Sequence, residues 1–271
     1  MSDTFPTVAD YLTHCVKGKY PVCFLKFGDG EYQCVRGFRG RNCDGDPYNS
    51  QLAGGIVESF RYLTQFSSVV IGAWHTKEVL NFWQSLVPSR PINWVNYHTI
   101  IVDKTDIEDK TTGELNKKMQ LFEAIRDSPM RKIIVCNELL QKAEILFNAD
   151  KTIFIPLRDW FQTQRNHVIQ KIADQCRMSD KSIIIFAAGM SSKVLIYELY
   201  KQFPQNIYLD FGSALDLLCT KHDSRGRGYS YETLYENIKS VLPEEKLWNA
   251  PEYNQIYKNA REHLGIHLRG R

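Results

Sequence analysis

Short apolar runs alternate with amphipathic stretches along this chain. Val8, Tyr11, Leu12 and Cys15 recur at helical spacing, which predicts a helix over Val8 to Cys15. Pro21 to Phe27 is a brief apolar run stopped by Gly28-Asp29-Gly30-Glu31, the pattern of a buried strand followed by a turn. Arg36 to Asn49 is rich in Gly, Arg, Asn and Asp and reads as a loop. A helix from about Ser50 to Gln65 follows, with Leu52, Ile56, Phe60 and Leu63 on one face. Further strands are expected at Ser67–Ala73, Trp94–Val102, Arg131–Cys136 and Thr152–Leu157. Helices are expected at Lys77–Leu86, Leu115–Asp127, Leu139–Phe147 and Trp160–Cys176.

The sharpest unit lies further on. Ser182 to Ala188 is a β-branched and aromatic run, Gly189-Met190-Ser191-Ser192-Lys193 a turn of small residues, Val194–Phe203 an amphipathic helix and Asn206–Phe211 a strand. Strands alternating with helices imply an α/β fold: an open, mostly parallel, Rossmann-like sheet with helices on both faces. Right-handed crossovers then gather the turns after the strands at one edge, where ligands of open α/β sheets bind. Residues 1–220 read as the catalytic domain. Residues 221–271 are polar and aromatic and read as a C-terminal extension packed on it.

Composition narrows the function. There are 34 basic and 31 acidic residues, and a net charge of +3 spread along the chain excludes nucleic acid as the expected partner. No window approaches a membrane-spanning length of apolar residues, and the N-terminus lacks the order of a signal peptide, so a cytoplasmic location (a host cytoplasm for a viral protein) is expected. The seven cysteines, Cys15, Cys23, Cys34, Cys43, Cys136, Cys176 and Cys219, are odd in number and lack paired spacing, which argues for reduced thiols. The histidines form no HExxH or HxH cluster.

Candidate chemistry collects after the strands. In an extended segment Asp29 and Glu31 would point to one side, and two hard oxygen donors at a strand end suit Mg²⁺ or Mn²⁺. Gly28 and Gly30 let backbone approach a ligand, although Gly-Asp-Gly is also ordinary turn chemistry. Gly189, Met190, Ser191, Ser192 and Lys193 open a helix, whose N-terminus favours an anion; the alternative is that Ser191 or Ser192 caps the helix. Asp210, Gly212, Ser213 and Asp216 close the following strand, where a carboxylate would serve as general base or hold a ribose, or else cap the next helix. Asp46 lies in the loop Asn42 to Tyr48, and Arg225 in the glycine-rich tail would clamp a phosphate or else belong to a solvated loop.

In this order and spacing, the motifs resemble those of the GT-D type glycosyltransferases. The resemblance begins at Phe24-Leu25-Lys26-Phe27-Gly28-Asp29-Gly30-Glu31 and continues through Asn42-Cys43-Asp44-Gly45 and the run from Ile133 to Pro156. It ends with Phe186 to Leu195 and Asp210-Phe211-Gly212-Ser213. It implies a GT-D fold and transfer of sugar, with inversion, from a nucleotide-diphosphate donor such as a UDP-sugar to a glycan acceptor hydroxyl. Mn²⁺ or Mg²⁺ would be held by Asp29 and Glu31, and the donor bound by Lys26, Gly28, Gly30, Gly189 to Lys193, Asp210, Gly212, Ser213 and Arg225. The family often has a histidine where this chain has Ser213, which leaves the base among Asp216, Asp46 and Glu31. The rival expectations are a metal-dependent phosphotransferase or phosphoesterase, and a non-catalytic nucleotide- or sugar-binding module.

Overall fold

The computed structural model describes residues 5–41, 47–73, 76–102, 106, 113–157, 159–220 and 231–238. Among them seven strands form one sheet: β1 (Val22–Phe27), β2 (Val69–Ala73), β3 (Trp94–Asn96), β4 (Arg131–Cys136), β5 (Lys151–Phe154), β6 (Ser182–Ala187) and β7 (Ile207–Asp210). Every pairing is parallel, and the order is β3-β2-β1-β7-β6-β4-β5. This is the open parallel sheet that the alternation of apolar runs predicts.

The helices are α1 (Val8–Gly18), α2 (Asp29–Val35), α3 (Ser50–Leu63), α4 (Lys77–Ser85), α5 (Glu114–Asp127), α6 (Ala143–Phe147), α7 (Phe161–Cys176), α8 (Ser191–Tyr200), α9 (Asp216–Thr220) and α10 (Tyr231–Ile238). They cover both faces. One core packs α1, α5, α6 and α9 on the sheet, and the other packs α3, α4, α7 and α8. A central strand buried on both sides must be apolar throughout. In β1, Val22 and Phe24 enter the first core, while Cys23, Leu25 and Phe27 enter the second. Lys26 shares the face of Val22 and Phe24 but stands at the carboxyl end, where a polar partner is within reach.

β1 pairs with β2 on one side and with β7, the last strand, on the other, so Phe24 lies beside both Val70 and Leu209. The early and late parts of the chain therefore meet at the middle of the sheet. Above it α3 and α8 pack closely: a Cβ on Gly55 would stand 2.9 Å from a Val194 methyl.

Several elements are shorter than their sequences suggest, two of them markedly. The strand expected over Trp94–Val102 ends at Asn96, whose side-chain oxygen accepts the His98 N–H at 2.8 Å and turns the chain. The helix expected over Leu139–Phe147 is instead a 3-10 turn, Glu138–Leu140, whose start the Asn137 side chain caps by taking the Leu139 N–H, followed by α6. No helix of the described residues is long and apolar enough to cross a membrane. Of the C-terminal extension, α10 is described; its Leu234 is buried in the first core.

Candidate active site at the carboxyl rim of the sheet

The motif Gly28-Asp29-Gly30-Glu31 does not form an extended turn. α2 starts at Asp29 directly after β1, with Gly28 as its N-cap. At about 100° per residue, two positions on a helix separate by roughly 200°, so the two carboxylates diverge rather than share a side. The cause is local: Glu31, at the third helical position, reaches back and accepts the Gly28 N–H at 2.8 Å, satisfying a donor that the helix start leaves over. Glu31 is consequently buried at 6% exposure. Asp29, the first helical residue, is exposed and makes no hydrogen bond or ion pair among the described residues. The Tyr48 hydroxyl, whose pKa is raised first by burial and then by the nearby Asp29 charge, stands beside it and donates to Gln33.

The second candidate segment comes to the same place. Lys193, in the first turn of α8, puts its ammonium 2.6 Å from Glu31 Oε1 and 2.9 Å from Asp210 Oδ2, with a third bond of 3.4 Å to the Gly189 carbonyl. An ammonium has three donors, so Lys193 is fully engaged. Asp210 Oδ2 also accepts the Lys26 backbone N–H at 3.1 Å. The Lys26 ammonium donates to the Phe211 carbonyl and lies 5.1 Å from the centre of the Tyr97 ring. Lys26, Glu31, Lys193 and Asp210 are all buried. Two cations and two carboxylates cancel, which is how buried charge is tolerated. Burial alone would lower the Lys193 pKa; the Asp210 and Glu31 carboxylates more than offset that and hold it above the ordinary lysine value.

Two polar atoms at this rim, Ser191 Oγ and Asp210 Oδ1, are buried and have no hydrogen-bond partner among the described residues. Ser191 is the first residue of α8, and neither serine caps the helix from the side, since the N-cap is Met190. Ser192 Oγ instead accepts the Ala188 N–H at 3.3 Å. Gly189 and Gly212, at the ends of β6 and β7, have φ of 57° and 48°, a left-handed backbone in which a side chain is strained.

Of the other residues singled out from sequence, Gly212 and Ser213 lie in a 3-10 turn after β7, and Asp216 is half-buried as the first residue of α9. Asp46 and Arg225 lie outside the described residues. The sequence did not single out Tyr97. Its ring lies 3.1–3.3 Å from where a Gly28 Cβ would be, and it covers Lys26. It follows a strand that reads longer than it is, and nothing local marks it. Arg41 was likewise overlooked. Its guanidinium pairs with Asp159 at 3.2 Å, so the chain after α2 reaches across the rim to the segment after β5.

No protein-family model and no curated protein matches the sequence significantly. Two solved structures do match. One is a selenomethionine-substituted structure of domain of unknown function 1792, with a TM-score of 0.54 and 14% identity, covering 90% of this chain and 91% of that one. The other, with a TM-score of 0.55 and 15% identity over the same shares, is described in the words "the highly conserved domain of unknown function 1792 has a distinct glycosyltransferase fold". The chain is thus an α/β protein of glycosyltransferase-like fold, as the resemblance of its motifs implied. More narrowly, its fold is that of domain of unknown function 1792.

Proposed function

We propose that this protein is a metal-dependent glycosyltransferase whose donor, a nucleoside-diphosphate sugar such as a UDP-sugar, lies across the rim between α2 and α8. One observation carries the reading: Glu31 and Lys193 touch at 2.6 Å, so the turn bearing Asp29 and the start of α8 adjoin. A carboxylate that is exposed and makes no hydrogen bond or ion pair among the described residues thereby adjoins a helix N-terminus bearing a buried hydroxyl with no partner among those residues. The first suits a divalent cation and the second a phosphate.

Among the described residues no group of three or more His, Cys, Asp or Glu is arranged to hold a metal. Mn²⁺ or Mg²⁺ in a donor-dependent site would take one or two carboxylates and complete its shell with water and substrate phosphate. Asp29 would hold the ion. Glu31, with one oxygen on Gly28 and the other on Lys193, is committed within the protein. When bound, the metal would supply neutralising charge at the diphosphate.

The chain's own residues divide the remaining work. The start of α8, with Ser191 Oγ, meets the diphosphate; Asp210 Oδ1, buried and without a donor among the described residues, accepts a hydrogen bond from a hydroxyl of the nucleoside. Arg225 adds charge from the tail. The acceptor hydroxyl attacks the anomeric carbon, the bond from that carbon to the diphosphate oxygen breaks, and the nucleoside diphosphate leaves. A carboxylate takes the hydroxyl proton as general base; Asp216 and Asp46 are the candidates, and the product is inverted.

A thermal-shift panel of nucleotide sugars with and without Mn²⁺ tests the reading. The donor should raise Tm only when the metal is present, since a ligand that binds the native state stabilises it by mass action. Asp29→Asn should abolish that metal-dependent part. Absence of a shift with every donor, or an unchanged shift in Asp29→Asn, refutes it.

A further inference from the structure

We propose that Lys193 is the positioning residue of this site, acting through Glu31 to hold Asp29 at the rim; the inference rests on the function proposed above. The connection is continuous. Lys193 Nζ holds Glu31 Oε1, and Glu31 Oε2 holds the Gly28 N–H. Gly28 is the residue before Asp29 and the cap of α2. On its other side Lys193 holds Asp210 at the end of β7 and the Gly189 carbonyl at the end of β6. One ammonium thus fastens the ends of β6 and β7 to the turn after β1.

Its three donors are spent on these acceptors, so Lys193 has none for a phosphate. Glu31 likewise has each oxygen in a protein bond, and both side chains are buried. The two residues that sequence spacing assigns to donor and metal are therefore the brace, and Asp29 is the carboxylate that faces outward. α2 is only seven residues long, too short to hold its first turn unaided. Without the brace, Gly28 loses the partner that fixes where the helix starts.

The test compares Lys193→Met, Lys193→Arg and a core truncation remote from the rim, Leu12→Ala in α1, in the full chain at a temperature where all remain folded. Amide exchange of a peptide spanning residues 27–36 reads the brace without any ligand, and Mn²⁺ affinity in the presence of the donor's nucleotide reads Asp29. Lys193→Met should speed exchange of that peptide and weaken Mn²⁺ about tenfold, a loss of roughly 1.4 kcal/mol. Lys193→Arg should restore part of both, and Leu12→Ala should change neither. Exchange that matches Leu12→Ala overturns the proposal, as does faster exchange with unaltered Mn²⁺ affinity. If the wild-type chain binds no Mn²⁺ with any nucleotide, the proposed function fails, and exchange alone then decides whether Lys193 braces the turn.

Discussion

Gly212 provides a measurable link between backbone conformation and the buried charges. Its φ of 48° is left-handed, and an added Cβ would stand 3.1 Å from the Lys26 ammonium. Gly212→Ala therefore meets two penalties. The left-handed backbone costs about 1–2 kcal/mol for a residue with a Cβ. The methyl also presses on Lys26, whose ammonium donates to the Phe211 carbonyl, and disturbing a hydrogen bond to a charged group costs about 1.5–3 kcal/mol. Gly113 separates the two, because its φ is 65° with nothing within 4 Å of the added methyl. Gly113→Ala should lose about 1–2 kcal/mol and Gly212→Ala about 2.5–5 kcal/mol. At roughly 2–4 °C per kcal/mol for a chain of this size, the second should melt several degrees lower. Urea unfolding with a common m-value provides the comparison. Equal losses in the two variants would show that Lys26 is not held against Gly212, and the packing described at the end of β7 would be wrong.

The raised pKa of Lys193 has a definite sign. A cation raised in the folded state contributes stability that is complete below the unfolded value of 10.5 and disappears as pH climbs through the folded one. The stability difference between wild type and Lys193→Met, measured by urea unfolding, should stay flat around neutral pH and narrow only above about pH 10.5. At the α3–α8 contact, Gly55→Ala should destabilise by about 1–3 kcal/mol through overpacking. Adding Val194→Ala should recover part of it, because the clash is with the Val194 methyls; additive losses in a double-mutant cycle would contradict the contact. The described cysteines are all buried and free, and burial raises each thiol pKa. In a Cys43→Ser background, native-state labelling by a thiol reagent at pH 8 should be slow and follow unfolding, and rapid labelling would contradict the burial.

The layers of the molecule were legible because parallel strands buried on both sides must be apolar throughout. Ile183 to Phe186 admit no other reading, and the small residues from Gly189 to Lys193 mark the change to helix. Proximity of the two site segments followed from topology, since successive crossovers bring the ends of β1 and β6 to one rim. Their contacts were not legible. Glu31 and Asp29 look alike as letters, and only the return of Glu31 to the Gly28 amide separates a carboxylate bonded within the protein from one that is exposed. The letters around Lys193 do not show that its ammonium meets three acceptors, two of them from residues 31 and 210. Tyr97 depends on where a strand stops, and that was decided by the side chain of Asn96.

The pairing of β1 with β7 has a consequence for synthesis. Val22 neighbours Ile207, and the Lys26 amide is tied to Asp210 across 184 residues. As the chain emerges from the ribosome, β1 can find β2 early, but its other edge stays open until β7 has been made. Closing so distant a contact is slow, and an unpaired apolar strand invites association in the interval. A chain interrupted before β7 would keep that edge bare and leave Lys193 without Asp210, so the rim cannot be completed before β7 arrives.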